Sequence, residues 1–358
     1  MPSDKFSRKR LHNLREAISE HGLDAFLIGN PSNVSYLANY KCSDSYILIL
    51  GKEKFFLTDF RYVEEARSHI KGFNIIEIKG NLLPILKSIT KARKIKKLGF
   101  ESRNLTCFEY KKLNSALSGG AKLIHTEFIV EKLRAIKDAG EIAKIKSAVK
   151  ITLDTFSLLK KIIKPGVSEL DVSAEINRII RIKGASACAF EVIVASGPNS
   201  SMPHAKVSRR IIRDNEPVLV DMGVEFCGYK SDLTRMYFLG KMPHKVLKAT
   251  EVVFAAKEEA ISKLTPGVPI NEIDRAARIY IESFGWSDKF GHGLGHGVGL
   301  DVHEDPPINR KNTSYLKAGM VFTIEPAVYF PGKFGIRLED MVVITKNGAE
   351  VFDGAINQ

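Results

Sequence analysis

Apolar and polar residues alternate along 217–238 and again along 320–344, and a short turn interrupts each stretch near its middle. Period-two alternation on both sides of a turn predicts a β-hairpin with one buried face. Both predicted hairpins carry one acidic residue on each arm. We therefore expect two pairs of carboxylates in the second half of the chain, each pair held across neighbouring strands.

The first predicted hairpin pairs Asp221 with Asp232. If its loop is centred between Phe226 and Cys227, the two side chains face each other at about 4.5–5.5 Å between Cβ atoms. Opposed like charges destabilise a sheet, and a buried carboxylate is costly unless it is paired or bound to a metal. For either pair taken alone, a solvent-facing hairpin position is the alternative.

The second predicted hairpin repeats this arrangement, because a turn centred on Gly332 sets Glu325 opposite Glu339. Cations held among the two pairs compensate both charge clashes. Carboxylates, imidazole and no thiolate form a hard set of ligands, which suits Mn, Fe(II), Co or Zn and leaves Mg possible. The sequence does not choose among these metals.

Three histidines, His292, His296 and His303, lie in a glycine-rich segment over 290–305. Alternate glycines allow the backbone to approach a bound group closely. The segment does not fit G-x-G-x-x-G, and neither G-x-x-x-x-G-K nor G-x-S-x-G occurs in the chain, so a nucleotide loop and a serine nucleophile are not indicated. The grouping favours histidines that bind a metal or a substrate over isolated structural histidines.

The first part of the chain predicts a small α/β domain, because helical and strand patterns alternate along it. The predicted elements are helix 6–21, strand 25–28, a turn over 30–33, strands 46–50 and 54–57, helix 62–68 and strand 73–78. A chain of 358 residues exceeds the usual single core. We expect two domains, at 1–130 and 131–358.

An internal repeat is visible in the second half. Lys164-Pro-Gly-Val167 and Thr265-Pro-Gly-Val268 each follow one helical pattern and precede another, and strands come next. This predicts two copies of one helix-and-hairpin unit around a shared site, with one carboxylate hairpin from each copy.

Charge and composition narrow the classes of partner. Residues 1–137 hold 25 Lys and Arg against 14 Asp and Glu, whereas residues 138–358 hold 29 against 27. Basic surfaces can bind nucleic acid, but these lysines lack interleaved aromatics and a recognised motif, so we favour a solvated surface and expect no nucleic-acid partner. Short apolar runs, no signal-peptide pattern and four cysteines without C-x-x-C predict a cytoplasmic protein that is not bound to a membrane.

Taken together, the motifs resemble those of the M24, or pita-bread, metallopeptidases, which include methionine aminopeptidases, aminopeptidase P and prolidase. Asp221, Asp232, His296, Glu325 and Glu339 stand in the order of that family's five metal ligands. The matching motifs are Pro203-His204, Asp221-Met-Gly223, Ser231-Asp-Leu-Thr-Arg235, Gly295-His-Gly-Val-Gly-Leu-Asp-Val-His303, Thr323-Ile-Glu-Pro326 and Gly335-Ile-Arg-Leu-Glu-Asp340. One departure is Asp214-Asn-Glu-Pro217, where the family often has Gly-Asp.

Weaker motifs extend the resemblance over 1–137, to the N-terminal domain of the prolidase and aminopeptidase P branch. The resemblance implies a creatinase-like α/β domain followed by a pita-bread α+β domain with a pseudo-twofold repeat. It also implies a homodimer. The pita-bread fold also serves non-catalytic binding modules and metal-free hydrolases of the creatinase type, but these typically lose the ligands that this chain retains.

The resemblance assigns roles to the ligands. It implies that Asp221 binds a first divalent metal ion, that Asp232 and Glu339 bridge two such ions, and that His296 and Glu325 hold the second. Family habit favours manganese, with cobalt, zinc or iron as alternatives. It also implies that Glu325 is the acid and base of a peptide hydrolysis.

The resemblance implies that His204 and His303 are catalytic residues that contact the substrate and the reaction intermediate, and that His292 is a weaker candidate for lining the pocket. Arg337, two residues before Glu339, is expected to orient a carboxylate or to meet the substrate. The implied substrates are peptides with proline in the second position. An Xaa-Pro aminopeptidase that accepts longer peptides is slightly favoured, and an Xaa-Pro dipeptidase, which acts on the dipeptide alone, is the alternative.

Overall fold

A computed structural model describes residues 3–352 and divides into two compact units, the first ending at Arg134 and the second beginning at Ala135. The boundary that we placed at 130/131 lies within a short helix, Ile129–Arg134. In residues 3–352, no helix combines the length and the apolar character that crossing a membrane requires.

The first unit is an α/β layer structure, as its sequence pattern predicts. Its helices are α1 (Ser3–Glu20), α2 (Pro31–Ala38), α3 (Val63–His69), α4 (Leu83–Ala92), α5 (Cys107–Leu117) and α6 (Ile129–Arg134). Its strands are β1 (Ala25–Ile28), β2 (Ser45–Leu50), β3 (Glu53–Thr58), β4 (Asn74–Glu77), β5 (Lys97–Glu101) and β6 (Lys122–Thr126). The strands form one mixed sheet in the order β4-β3-β2-β1-β5-β6.

One predicted turn in this unit is a helix start instead. Residues 30–33 open α2, because the Asn30 side chain accepts the backbone N–H groups of Ser32 and Asn33, and Pro31 takes the first helical position. Asparagine at the N-cap and proline just inside a helix are the preferred residues there. The turn prediction over 30–33 is therefore wrong.

The second unit packs four long helices around small antiparallel sheets. The helices are α7 (Ala139–Leu159), α8 (Glu169–Ile182), α9 (His244–Ser262) and α10 (Ile270–Glu282). The first strands are β7 (Ala187–Cys188), β8 (Ile193–Ser196), β9 (Pro217–Met222), β10 (Val224–Phe226), β11 (Tyr229–Lys230) and β12 (Leu233–Phe238). The later strands are β13 (Gly295–Gly297), β14 (Glu304–Ile308), β15 (Val321–Ile324), β16 (Ala327–Phe330), β17 (Phe334–Arg337), β18 (Asp340–Ile344) and β19 (Ala349–Val351).

The internal repeat is present in the structure as two matching helix pairs. Gly166 between α7 and α8 and Gly267 between α9 and α10 have φ angles of 92° and 87°, in the left-handed region that glycine tolerates. Their N–H groups donate to Ile212 O at 3.0 Å and to Leu316 O at 2.9 Å. Each Pro-Gly turn is therefore tied to a segment downstream of its helix pair in the same manner.

The first hairpin has a different register from the predicted one. Strand β9 pairs with β12 so that Asp221 lies opposite Thr234, not Asp232. The turn is centred on Cys227 and Gly228, both of which have positive φ, and this shifts the pairing by two residues. A shift of two keeps the same face, so Asp232 is a diagonal neighbour of Asp221.

The second hairpin has the predicted register. Ala327 pairs with Arg337 on one side of the acids, and Ile324 pairs with Asp340 on the other. Glu325 and Glu339 occupy the matching positions between these two ladders, which confirms the turn centred on Gly332. An isolated bridge between Thr234 and Glu339 joins the two hairpins.

Candidate metal centre and its cavity

All nine side chains that the sequence singles out line one cavity of about 780 Å³ in the second unit. The residues are His204, Asp221, Asp232, His292, His296, His303, Glu325, Arg337 and Glu339. They come from both hairpins, from β13 and from the loops beside them. The fold therefore brings the two halves of the repeat together at this cavity.

The centre of the cluster contains carboxylates and one imidazole at ligand-like separations. One ligand atom from each of Asp232, His296 and Glu339 lies within 4.8 Å of the others. His296 Nε2 is 3.6 Å from Asp232 Oδ2 and 3.4 Å from Glu325 Oε1. Its Nδ1 is 3.2 Å from the carbonyl oxygen of Gly297, which can only accept a hydrogen bond. The lone pair of His296 consequently lies on Nε2, facing the carboxylates.

Protonation equilibria show how crowded these groups are. Burial, reinforced by the neighbouring acids, raises the pKa of Asp232 and that of Glu339 well above their ordinary values. Burial also raises the pKa of Glu325 to about 8. Burial lowers the pKa of His296 to about 4, so its ring is neutral at neutral pH. Lone pairs therefore converge on a space where no protein cation among the described residues balances them fully.

Asp221 differs from the other acids because Arg337 pairs with it. Arg337 Nη2 donates to Asp221 Oδ2 at 2.5 Å, while Asp221 Oδ1 is buried and accepts no hydrogen bond from any described residue. Arg337 Nη1 donates to Pro203 O at 3.1 Å and to Tyr329 Oη at 2.8 Å, and its Nε donates to Thr234 Oγ1 at 3.1 Å. Every nitrogen of this guanidinium thus has a protein partner.

Hydroxyl groups fix the carboxylates of the second hairpin. Thr234 Oγ1, which accepts from Arg337, donates to Glu339 Oε2 at 2.7 Å. Thr323 Oγ1 lies 3.3 Å from Glu325 Oε1. Each hydroxyl supplies one donor, so most of the lone pairs on these two carboxylates are left for another partner.

The remaining histidines surround this cluster. The His303 ring packs edge-on against His296, with 4.2 Å between ring centroids, and burial lowers its pKa. His292 Nδ1 donates to Gly293 O at 2.8 Å, and burial lowers the pKa of His292 to about 4. His204 is exposed on the cavity wall. As neutral imidazoles, His292 and His303 offer both N–H donors and lone pairs.

Two features of the cavity were not expected from the sequence. Tyr329 Oη lies between Arg337 and His292 Nε2, which is 3.4 Å away. Its position was open to inference, since Tyr329 is four residues beyond Glu325 and so lies on the same strand face. The glycines also act differently from expectation, because a Cβ on Gly295 would meet Thr323 O at 1.9 Å. That glycine admits a neighbouring strand, not a bound group.

The donor set fits hard divalent cations. Four carboxylates, one of them that of Asp221 with its unpartnered Oδ1, and a neutral imidazole nitrogen converge on one cavity. Oxygen-rich sites with one imidazole suit divalent metals such as Mn, Fe, Co or Zn. The fold and this site define a protein that carries a candidate centre for divalent metal ions between two repeated hairpins.

Comparison with known proteins identifies the family. The model of metallopeptidase family M24 matches residues 143–346, and that of the creatinase/prolidase N-terminal domain matches residues 10–136. The chain belongs to metallopeptidase family M24. This confirms the expected fold of a creatinase-type N-terminal domain and a pita-bread catalytic domain, and it makes the protein a metallopeptidase whose family depends on two divalent metal ions.

Relatives are similar over nearly the whole chain. An Xaa-Pro dipeptidase of Pyrococcus furiosus is 32% identical, with 96% of this chain and 97% of the relative covered. A solved Xaa-Pro dipeptidase from Bacillus anthracis is 35% identical, with 98% and 99% covered and a TM-score of 0.95. A solved X-Pro aminopeptidase from Thermotoga maritima is also 35% identical, with 94% and 97% covered and a TM-score of 0.87.

Proposed function

We propose that this metallopeptidase is an Xaa-Pro aminopeptidase, which cleaves the bond between an N-terminal residue and a following proline in peptides longer than a dipeptide. The observation that carries this choice is the commitment of Arg337 to four protein partners. A dipeptidase must hold a free carboxylate close to the scissile bond. Arg337 lines the cavity beside the acids, but four of its five N–H groups bind these protein partners, which leaves only one, on Nη2, for that task.

The ligand roles form part of this proposal. Asp221, Asp232, His296, Glu325 and Glu339 hold two divalent cations, with manganese favoured. Such cations lower the pKa of a bound water and polarise a carbonyl group. The lone pairs on these five side chains, described above, support the assignment.

The other side chains act on the peptide. Glu325 takes the proton of the attacking water and returns it to the leaving proline nitrogen. General acid–base catalysis of this kind typically raises the rate by roughly 10²–10⁴-fold. His204 and His303 donate ring N–H groups to the developing oxyanion. His292 lines the pocket for the substrate, and Arg337 orients Asp221 instead of binding the substrate.

An Xaa-Pro dipeptidase is the second candidate, favoured by two observations. The relatives from Pyrococcus furiosus and Bacillus anthracis carry that name. Lys206 also lines the cavity and is exposed, so its ammonium can meet a substrate carboxylate. We further propose a homodimer, which measurement of the solution mass tests.

A panel of substrates tests the function. The manganese-loaded protein is incubated with Ala-Pro, Ala-Pro-amide and Ala-Pro-Ala-Ala, and free alanine is measured. An aminopeptidase releases alanine from Ala-Pro-Ala-Ala and does not require the free carboxylate of proline. Cleavage of Ala-Pro alone, lost in Lys206→Met, supports the dipeptidase instead. Failure to cleave any of the three removes both candidates.

A further inference from the structure

Two irregular loops carry cavity histidines, and a fully buried carboxylate holds each loop. The first loop, 196–208, carries His204, and the second, 290–294, carries His292. Glu169 on α8 contacts the first loop, and Asp274 on α10 contacts the second. Both acids have 0% exposure, and neither lines the cavity as described above.

Glu169 joins the two ends of the first loop. Its Oε1 accepts the backbone N–H of Ser196 at 2.7 Å and the Ser196 hydroxyl at 2.8 Å. Its Oε2 accepts the Ser208 hydroxyl at 2.5 Å. Asn199 Nδ2 donates to both oxygens, at 3.0 and 3.1 Å. One carboxylate thus closes the segment that presents His204.

Asp274 holds the second loop directly and through Arg278. Asp274 Oδ1 accepts the Leu294 N–H at 3.1 Å, and Arg278 Nε donates to Asp274 Oδ2 at 2.6 Å. Arg278 Nη1 donates to Phe290 O at 3.0 Å, and Nη2 donates to His292 O. The backbone on both sides of the His292 ring is therefore set by one ion pair, between a fully buried carboxylate and a half-buried guanidinium.

Glu169 and Asp274 occupy equivalent places in the repeat, since their helices, α8 and α10, are the second helices of the two helix pairs. A buried carboxylate is costly unless hydrogen bonds satisfy it, and here the bonds go to loop backbone and loop side chains. We propose that Glu169 and Asp274 are positioning residues: Glu169 sets the location of His204, and Asp274 sets that of His292. The effect on catalysis rests on the proposed function, in which both histidines contact the substrate.

Glu169→Gln and Asp274→Asn test the proposal in the metal-loaded full chain. Each substitution presents an amide N–H group where an acceptor oxygen stood, so the loop shifts. A misplacement of about 1 Å can cost about 10²-fold in rate, and we expect kcat/KM on Ala-Pro-Ala-Ala to fall roughly 10- to 100-fold in either variant. Bound metal stays at the wild-type level. Glu175→Gln, which neutralises a half-buried acid of α8 that pairs with Arg178, serves as the matched control without effect.

Double-mutant cycles separate positioning from a general structural role. In a His204→Ala background, Glu169→Gln costs no more than about 2-fold, whereas Asp274→Asn keeps its full effect. In a His292→Ala background, Asp274→Asn costs no more than about 2-fold and Glu169→Gln keeps its full effect. Equal losses in both backgrounds, or additive losses throughout, overturn the proposal.

Histidine ring NMR of the zinc-loaded protein provides a readout that does not depend on activity. Glu169→Gln shifts the ring signals of His204 and leaves those of His292 in place, and Asp274→Asn does the reverse. If Glu169→Gln does not fold, Ser208→Ala removes a single bond to Glu169 and takes its place. If the ring signals of both histidines move together, or if neither moves, the positioning proposal is wrong, whether or not the protein cleaves an Xaa-Pro peptide. A lack of cleavage, taken alone, counts only against the proposed function.

Discussion

Glu339 and Asp340 are neighbours in sequence, each only 2% exposed, yet their environments are opposite. Glu339 joins the acidic cluster, and burial raises its pKa well above the ordinary value. Burial also acts to raise the pKa of Asp340, but Arg235 and Lys257 bring it below its ordinary value. Arg235 Nη2 donates to Asp340 Oδ1 at 2.7 Å, and Lys257 Nζ contacts Oδ2.

The difference shows what a buried acid does in each place. Asp340 is compensated within the protein, so it contributes to the fold when it is ionised. Glu339 has a hydroxyl donor, from Thr234, and faces other acids and a neutral imidazole, while the nearby charge of Arg337 is paired with Asp221. Its compensation must come from outside the chain, and a cation supplies it. This contrast can be tested in three ways, taken here in order of decreasing effect.

The largest effect is expected on activity. Asp232→Asn removes a charge from the centre of the cluster, and the loss of several kcal/mol of transition-state stabilisation corresponds to roughly a thousandfold lower kcat/KM. Elemental analysis after loading should show less bound metal than in the wild type. Glu350→Gln, an exposed acid paired with Lys146, is the control that keeps both properties. Wild-type activity in Asp232→Asn would mean that the cluster is not the catalytic centre.

Stability should separate the two neighbours. Asp340→Asn leaves Arg235 and Lys257 buried without their carboxylate, which costs about 3–5 kcal/mol. At about 2–4 °C of Tm for each kcal/mol, this is a large decrease by calorimetry. Glu339→Gln does not lower the Tm of the metal-free protein, because the amide sets no like charge against the neighbouring acids and keeps an oxygen that accepts from Thr234. A similar decrease in both variants would contradict the contrast.

The smallest expected effect is on how the Tm changes with pH. A carboxyl group whose folded pKa is raised stabilises the protein fully below its unfolded pKa and loses that contribution as pH rises through the folded value. Glu325, ordinarily near 4.5 and here about 8, places this loss between about pH 4.5 and 8. His292 and His296, whose pKa values burial lowers from 6.5 to about 4, act in the opposite direction below about pH 6.5, so the Tm of the chelator-treated protein should decrease from pH 6.5 to 8.5.

Saturating manganese should reverse that slope, because metal ligands bind in their deprotonated form and affinity rises with pH. Differential scanning fluorimetry at several pH values, with and without metal, measures both slopes. If the curves of Tm against pH were parallel with and without manganese, the acids would not bind a cation in the way proposed.

The sequence predicted the second hairpin better than the first for a physical reason. Pro331 and Gly332 mark a turn clearly, and the register of Glu325 with Glu339 followed from it. Cysteine and glycine at 227 and 228 form the other turn, and cysteine is not among the residues usually found at positive φ. The pairing was therefore placed two residues away, although the face was correct because strand periodicity is two.

Contacts between segments distant in sequence were beyond prediction. Nothing local in the chain indicates that Arg337 reaches Asp221 and Pro203, or that Glu169 closes a loop ending at Ser208. Periodicity reports which face a residue occupies, but the partners depend on how the two halves of the repeat pack. The family motifs located the candidate ligands, and the structure adds what holds them.

The position of the acidic cluster between the two hairpins also has a consequence for the stability of the fold. A cation held jointly by Asp221 and Glu339 would close the chain between them into a ring, as a covalent staple does, and would restrict the unfolded chain accordingly. Unlike a disulfide, such a staple opens reversibly when the metal concentration drops. A low metal concentration would then lower the stability of the folded enzyme as well as its turnover.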